Sequence, residues 1–321
     1  MLDRRTLLLG GGAFATGLAS AFAQDYPSRP IRIIVPLAAG GMADILARTI
    51  SAKLGEAGHT VVVENRTGGS GVIGADAVAK SPADGYTLLM GLHATQAILV
   101  HLTRLPYDPA KDFAPVIHVA TVPNVLLVNN TVPATSLQEL IAHAKANPGK
   151  LTFASQGNGS TGHMIGEQFK AMAGIELTHV PYRGAAPASQ DLLAGHVSML
   201  FDIVPLAVSN LQSGKVRALA VCAAERVNVL PDIPTIAEAG LAGMEAGAWF
   251  GLFAPAGTPP AAIAWVNQEA RKAFASPEVG ERFAKQGAML PLGSPQAFAA
   301  HVAAETERWG ALIRRANIRM E

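Results

Sequence analysis

Short apolar runs alternate with amphipathic segments along most of this chain. Residues 31–35, 61–64 and 87–91 read as strands, and residues 43–54 and 71–80 read as the helices between them. The alternation resumes with strands at 151–154, 177–180, 199–201 and 218–221 and helices at 160–173, 186–193 and 204–212. Alternation of this kind predicts parallel sheets with crossover helices, here in two α/β units. Between them lie Leu105-Pro106-Tyr107-Asp108-Pro109 and an apolar stretch, 116–128, that can cross from one unit to the other. The second unit ends near 231–243. A further apolar run, 249–254, is bounded by Gly247 and Pro255 and followed only by helices, at 259–275, 277–286 and 295–316. A helical tail has no sheet of its own to cover and is expected to pack back on the first unit. The chain then crosses between units twice, near 120–125 and 247–252. Two crossings make a hinge, and the cleft between hinged lobes is a common place for a small ligand.

The first 23 residues differ from the rest. Arg4 and Arg5 precede an uncharged stretch from Thr6 to Ala23, and Ala21-Phe22-Ala23 before Gln24 is a small-x-small cleavage pattern. This predicts a cleaved signal peptide, residues 1–23. The paired arginines with Thr6-Leu7-Leu8 are similar to a twin-arginine signal, although Asp3 stands where Ser or Thr is usual. An uncleaved anchor is the alternative, but Gly10 to Gly12 and several alanines leave the segment weakly apolar and barely long enough to span. Cleavage removes two basic residues and one acidic residue, which takes the formal net charge from +1 to zero.

Composition narrows the function classes. With 50% hydrophobic and 15% charged residues, the chain is neither disordered nor collagen-like. Its 25 basic and 24 acidic residues form no basic stripe, which excludes a nucleic-acid partner. Cys222 stands alone, so there is no internal disulfide, and no Cys/His cluster has zinc spacing; no metal or cofactor is expected.

Two segments match the dinucleotide pattern, Gly69-Ser70-Gly71-Val72-Ile73-Gly74 and Gly157-Asn158-Gly159-Ser160-Thr161-Gly162. The acid that would hold a ribose at the end of the next strand is missing after both, which argues against a nucleotide. What remains is the physics of a helix N-terminus, whose unpaired N–H groups suit a carboxylate as well as a phosphate. Pro36-Leu37-Ala38-Ala39-Gly40-Gly41, before the helix carrying Asp44, is a third such loop. Each is alternatively a tight turn with no ligand. Ser155, Gln156, Asn158, Ser160, Thr161 and His163 sit beside the second glycine loop, and Asp202 follows a strand. No Ser lies in Gly-x-Ser-x-Gly, so these do not make a hydrolase; Ser160 and His163 fit a helix cap and its first turn.

These residues resemble a known family. Residues 33–41 with Asp44, Val63-Glu64-Asn65-Arg66, Leu105-Pro106-Tyr107-Asp108, residues 153–163, Val180-Pro181-Tyr182-Arg183-Gly184, Phe201-Asp202, Leu230-Pro231-Asp232-Ile233-Pro234-Thr235 and Pro255-Ala256-Gly257-Thr258-Pro259 resemble the Bug family. Its members are periplasmic solute-binding proteins of tripartite tricarboxylate transporters, and the resemblance covers essentially the whole mature chain. It implies an α/β, two-lobed periplasmic-binding-protein fold (a Venus flytrap of type II), each lobe a mainly parallel sheet flanked by helices. Lobe 1 is expected at 24–123 plus 250–321 and lobe 2 at 124–249.

The resemblance also implies a monomeric receptor, not an enzyme, that captures a small organic carboxylate and delivers it to membrane permease subunits. It nominates Ala39, Gly40, Gly41 and Asp44 from one lobe, and Ser155, Gly159, Ser160, Arg183 and Asp202 from the other. Asp44 is alternatively a brace of the first helix, and Arg183 a brace of its own turn. Asp202 suits a ligand amine or hydroxyl, or a water. The chain departs from the family pattern at Thr67 and over Leu92-His93-Ala94-Thr95-Gln96-Ala97-Ile98-Leu99. His93 then either faces the cleft as a pH-sensitive contact or is a packed loop residue. A sensor subunit using the same cleft and an exported dinucleotide-dependent oxidoreductase are the alternatives.

Overall fold

The computed structural model describes residues 26–319, so the signal-peptide reading of residues 1–23 lies outside the described residues. In the first half, β1 (Ile31–Val35) is followed by α1 (Met42–Glu56), β2 (Val61–Asn65), α2 (Val72–Ala79) and β3 (Thr87–Leu92). β1 pairs in parallel with β2 on one side and β3 on the other. β3 reads Thr-Leu-Leu-Met-Gly-Leu and is buried along its whole length, as a strand covered on both faces must be. A single π-helical turn at Ala94–Ile98 and a 3₁₀ turn at Leu99–His101 follow it.

The long strand β4 (Phe113–Asn129) then leads into the second half: α3 (Leu137–Ala146), β5 (Thr152–Ser155), α4 (Thr161–Ala173), β6 (Thr178–Pro181), α5 (Ala185–Ala194), β7 (Met199–Ile203), α6 (Val204–Leu211) and β8 (Val216–Val221). β5 is parallel to β6 and β7. The chain returns through β9 (Gly247–Pro255) and ends in α7 (Pro260–Ala275), α8 (Pro277–Ala284) and α9 (Pro295–Arg315). Serines set several helix starts. The Oγ atoms of Ser136, Ser160, Ser276 and Ser294 each accept the N–H three residues on, at the N-termini of α3, α4, α8 and α9.

The strand order is β2-β1-β3-β9-β4-β7-β5-β6, with β8 also on β4. This is the two-lobed α/β architecture expected from the sequence, with its parallel ladders at the two ends. The middle is antiparallel, because β4 and β9 run through it in opposite directions. They pair from Phe113 opposite Pro255 to Pro123 opposite Gly247, with register shifts at Pro115/Ile117 and His118/Ala120. From Asn124 onward β4 changes partners and pairs with β7 and β8.

The helical tail packs on the first half. Asn267 of α7 donates to the Val116 carbonyl at 2.9 Å, Arg282 of α8 to Thr49 Oγ1 of α1 at 2.7 Å, and His101 Nε2 lies 2.8 Å from the Thr306 carbonyl of α9. Phe298 of α9 stacks its ring into those of Trp249 and Phe253, with centroids 5.6 and 4.9 Å away. Burial in the second half pushes the Cys222 thiol up to about 12, so it behaves as a small apolar side chain.

The seam between α9 and the crossing strands is closed by a missing side chain. A Cβ at Gly251 would enter the Phe298 ring and sit 2.7 Å from the Ile117 carbonyl oxygen, a backbone atom that cannot rotate away. We therefore expect Gly251→Ala to cost roughly 1–3 kcal/mol by overpacking, measured as a lower midpoint in urea unfolding of the mature chain. An unchanged midpoint would contradict this packing.

Candidate functional site

A cavity of about 330 Å³ opens where β4 leaves β9 for β7. From the first half, Leu37, Ser70, Leu92, His93, Ala248 and Phe250 line it; from the second, Asn124, the 156–161 loop, Gly184, Ala185, Asp202 and Leu206 do. Each of the three loops singled out in the sequence delivers a residue: Leu37, Ser70, and Asn158 to Thr161.

Three helix N-termini of the second half converge on this space, those of α4 at Ser160 and Thr161, α5 at Gly184 and Ala185, and α6 at Ile203. In the first turn of α4, Ser160 N–H is bonded to the Gly157 carbonyl and His163 N–H to Ser160 Oγ. The N–H groups of Thr161 and Gly162 are left with no intrahelical partner. Aligned peptide dipoles make such a place favourable for negative charge. Among the described residues, no Lys or Arg side chain lines the cavity.

Burial shifts both titratable side chains of the cavity toward their neutral forms. Burial pushes the Asp202 carboxyl up to about 7, against the opposing pull of hydrogen bonds from Ile203 N–H, Ser189 and Gln156. Burial likewise pushes His93 down to about 4. His93 Nε2 meets Thr161 Oγ1 at 2.5 Å, joining the wall after β3 to the start of α4 across the cavity. His93 thus lines the cavity and is buried.

Of the residues nominated from sequence, the structure brings Gly159, Ser160, Asp202 and His93 together in the cavity. Ala39, Gly40 and Gly41 form an exposed turn beside it, of which Leu37 reaches the lining. Asp44 lies behind that turn and spends its carboxylate on it, accepting from Gly40 N–H at 3.0 Å, Arg48 Nε at 2.9 Å and Asn65 Nδ2 at 3.0 Å. These bonds, Arg48 first, hold its carboxyl below the usual range. Ser155 is fully buried and turned away, its Oγ 2.7 Å from His179 Nε2. Arg183 is exposed and outside the lining, next to Gly184, which is in it.

Asn124, Phe250 and Leu206 line the cavity without having been singled out in the sequence. Asn124 had a local signal, a polar residue inside the apolar run 116–128. It is 1% exposed, and its Oδ1 has no partner among the described residues. Phe250 and Leu206 had none, since an apolar residue in a strand or helix looks the same whether it faces core or cleft.

Residues 42–318 match the TctC family, described as the tripartite tricarboxylate transporter family receptor. The protein BugT of Bordetella pertussis is 38% identical over 100% of this chain and 99% of its own length. Rpa4515 of R. palustris, solved with adipate, is 42% identical, with a TM-score of 0.83 over 92% of this chain and 99% of that one. MatC of Rhodopseudomonas palustris, solved with bound malate, is 35% identical, with a TM-score of 0.79 over 90% and 100%. These relatives are solute-binding receptors, not enzymes, and the chain belongs to the TctC, or Bug, family of tripartite tricarboxylate transporter receptors.

Proposed function

We propose that this chain is a periplasmic receptor that closes its cavity on one organic carboxylate with an apolar body and presents it to the membrane subunits of a tripartite transporter. The observation that carries the reading is the meeting of three helix N-termini in a cavity that no Lys or Arg side chain among the described residues lines and whose other walls are largely apolar. In this reading the ligand carboxylate lies against the first turn of α4, near Gly159, Ser160 and Thr161. The aliphatic or aromatic body lies between Leu37 and Phe250 on one side and Leu206 on the other. Leu37 and Leu206 are each more than a third exposed, and covering them with ligand yields roughly 25 cal/mol per Å².

The lobe assignment belongs to the same proposal: residues 24–123 with 250–321, and 124–249, move about the β4–β9 crossing. His93 to Thr161 is then a contact made on closure, as is the approach of Gly159 to Leu99, whose methyl lies 2.8 Å from where a Gly159 Cβ would stand. Export, by cleavage of residues 1–23, rests on the family and on the sequence pattern; no helix among the described residues is long and apolar enough to cross a membrane.

A thermal-shift screen of residues 24–321 tests the ligand class. Adipate, hexanoate and benzoate are expected to raise the melting temperature, since a ligand at a hundred times its Kd adds about 2.7 kcal/mol to the folded state. Citrate, with three charges and no apolar body, is expected to raise it less. A shift with nucleotides and none with acids would sink the receptor reading.

Asp202 supplies a pH test of the same site. A carboxyl near pH 7 is neutral below that value and charged above it, so anion affinity is expected to fall as pH rises from 6 to 8, by up to about tenfold. Asp202→Asn should flatten that dependence in titration calorimetry. The folded carboxyl also loses stability as pH climbs from its unfolded value near 3.8 through 7. Asp202→Asn should therefore melt above the wild type at pH 8, by on the order of 5 °C, with the gap closing toward pH 5.

A further inference from the structure

Behind the cavity wall, two imidazoles stack. The rings of His163 on α4 and His179 on β6 lie 4.1 Å apart at 9° to each other, and Phe153 stacks on His179 at 4.7 Å, leaving His179 sandwiched. Each histidine is tied to the glycine loop. Gly159 N–H donates to His163 Nδ1 at 3.1 Å. His179 Nε2 lies 2.7 Å from Ser155 Oγ, which accepts Gly157 N–H at 3.2 Å. Gly157 and Gly159 have φ of +129° and +73°, and they bring no side chains to anchor the loop, so these bonds to imidazole and serine fix its path.

The arrangement has a protonation requirement. His163 Nδ1 accepts only while it carries no proton, which places the ring's single proton on Nε2. A second proton replaces the acceptor by a donor facing the Gly159 N–H, and charge on both rings sets two cations 4.1 Å apart. The surroundings oppose that charge. Glu167 and Lys170 of α4 pair with each other at 2.8 Å, Lys170 lies 5.9 Å over the Phe153 ring, and Arg319 of the C-terminal segment lines the same polar cavity as both histidines. Among the described residues, one carboxylate and two cations line that cavity with the histidines. Burial lowers the pKa of both rings, that of His179 to about 3, with His163 and Lys170 adding to the effect.

We propose that the stacked His163–His179 pair is the positioning device of the carboxylate-binding loop, holding residues 155–160 in their ligand-competent form while His163 is neutral and releasing them when His163 becomes an imidazolium. The inference rests on the receptor reading for its consequence, since Asn158, Gly159 and Ser160 of that loop line the cavity. In an opened loop the His163 ring returns to the ordinary histidine range near 6.5. The open form then takes protons that the closed form refuses, so closure is favoured above that pH and weakens below it. From pH 7.5 to 5.5 one such histidine shifts the opening equilibrium about tenfold.

The test follows amide exchange at Gly159 by NMR in the ligand-free mature protein, corrected for the intrinsic pH dependence of exchange. In the wild type, protection of Gly159 should fall about tenfold between pH 7.5 and 5.5. In His163→Asn, whose amide oxygen can take the place of Nδ1 as acceptor without titrating, it should stay constant. Protection in the wild type that ignores pH, or an equal fall in the Asn variant, overturns the proposal. Benzoate binding at pH 7.5 should weaken at least about fivefold in His163→Ala and stay within about twofold in His163→Asn. Wild-type affinity in the Ala variant also overturns it. If no acid of the panel binds the wild type, the receptor reading fails, and the exchange result alone decides the loop device.

Discussion

The antiparallel ladder between β4 and β9 is the constraint on which the rest depends. One chain builds two α/β halves, and these two strands are where it passes between them. Their backbone groups satisfy one another inside the protein, which allows two long apolar segments to lie side by side with α9 and α7 closing over them. Because β4 continues past Pro123 while β9 begins at Gly247, the sheet divides there and leaves room for a cavity. Asn124, Ala248 and Phe250 are cavity residues for that reason: they occupy the positions where the shared ladder ends.

The proposed site would hold a small anion with no lysine or arginine among the described residues of its lining. A lysine or arginine in this space would carry a desolvation cost of its own and would select for charge alone. Helix N-termini carry only partial charges, already oriented by the fold, so little reorganisation is needed when an anion arrives. Burial keeps His93 neutral and raises the Asp202 carboxyl to about 7, so that Asp202 opposes that field less than an ordinary carboxylate would. The apolar walls then add area-dependent attraction that a smaller, more polar acid cannot use.

The loop behind the first β-strand illustrates how sequence signals and structural roles separate. Gly40, Gly41 and Asp44 are conspicuous in the chain, and Asp44 has two plausible uses. Its carboxylate accepts hydrogen bonds from Gly40, Arg48 and Asn65, which favours the brace, because a carboxylate so engaged has little left to offer a ligand. Ser155 and Arg183 carry the same lesson: one is turned into the core against His179 and the other projects outside the cavity. Gly159, Ser160 and Asp202 do reach it, since each sits at a strand end or a helix start, and those ends are readable from local pattern.

Periodicity and turn chemistry were enough to read the strands, every helix but α3 and the two crossings, because they are local properties: side-chain spacing sets which face is buried, and serines or glycines mark where helices begin. The motifs were enough to read the family, because they recur in order along the whole chain. Which polar groups share one cavity, and which histidines stack behind it, depended on contacts between residues far apart in the chain, such as His93 with Thr161 and His163 with His179. Burial decided the protonation of Asp202 and His93, and burial is a property of the packed whole; no window of sequence contains the surroundings that take a side chain out of water.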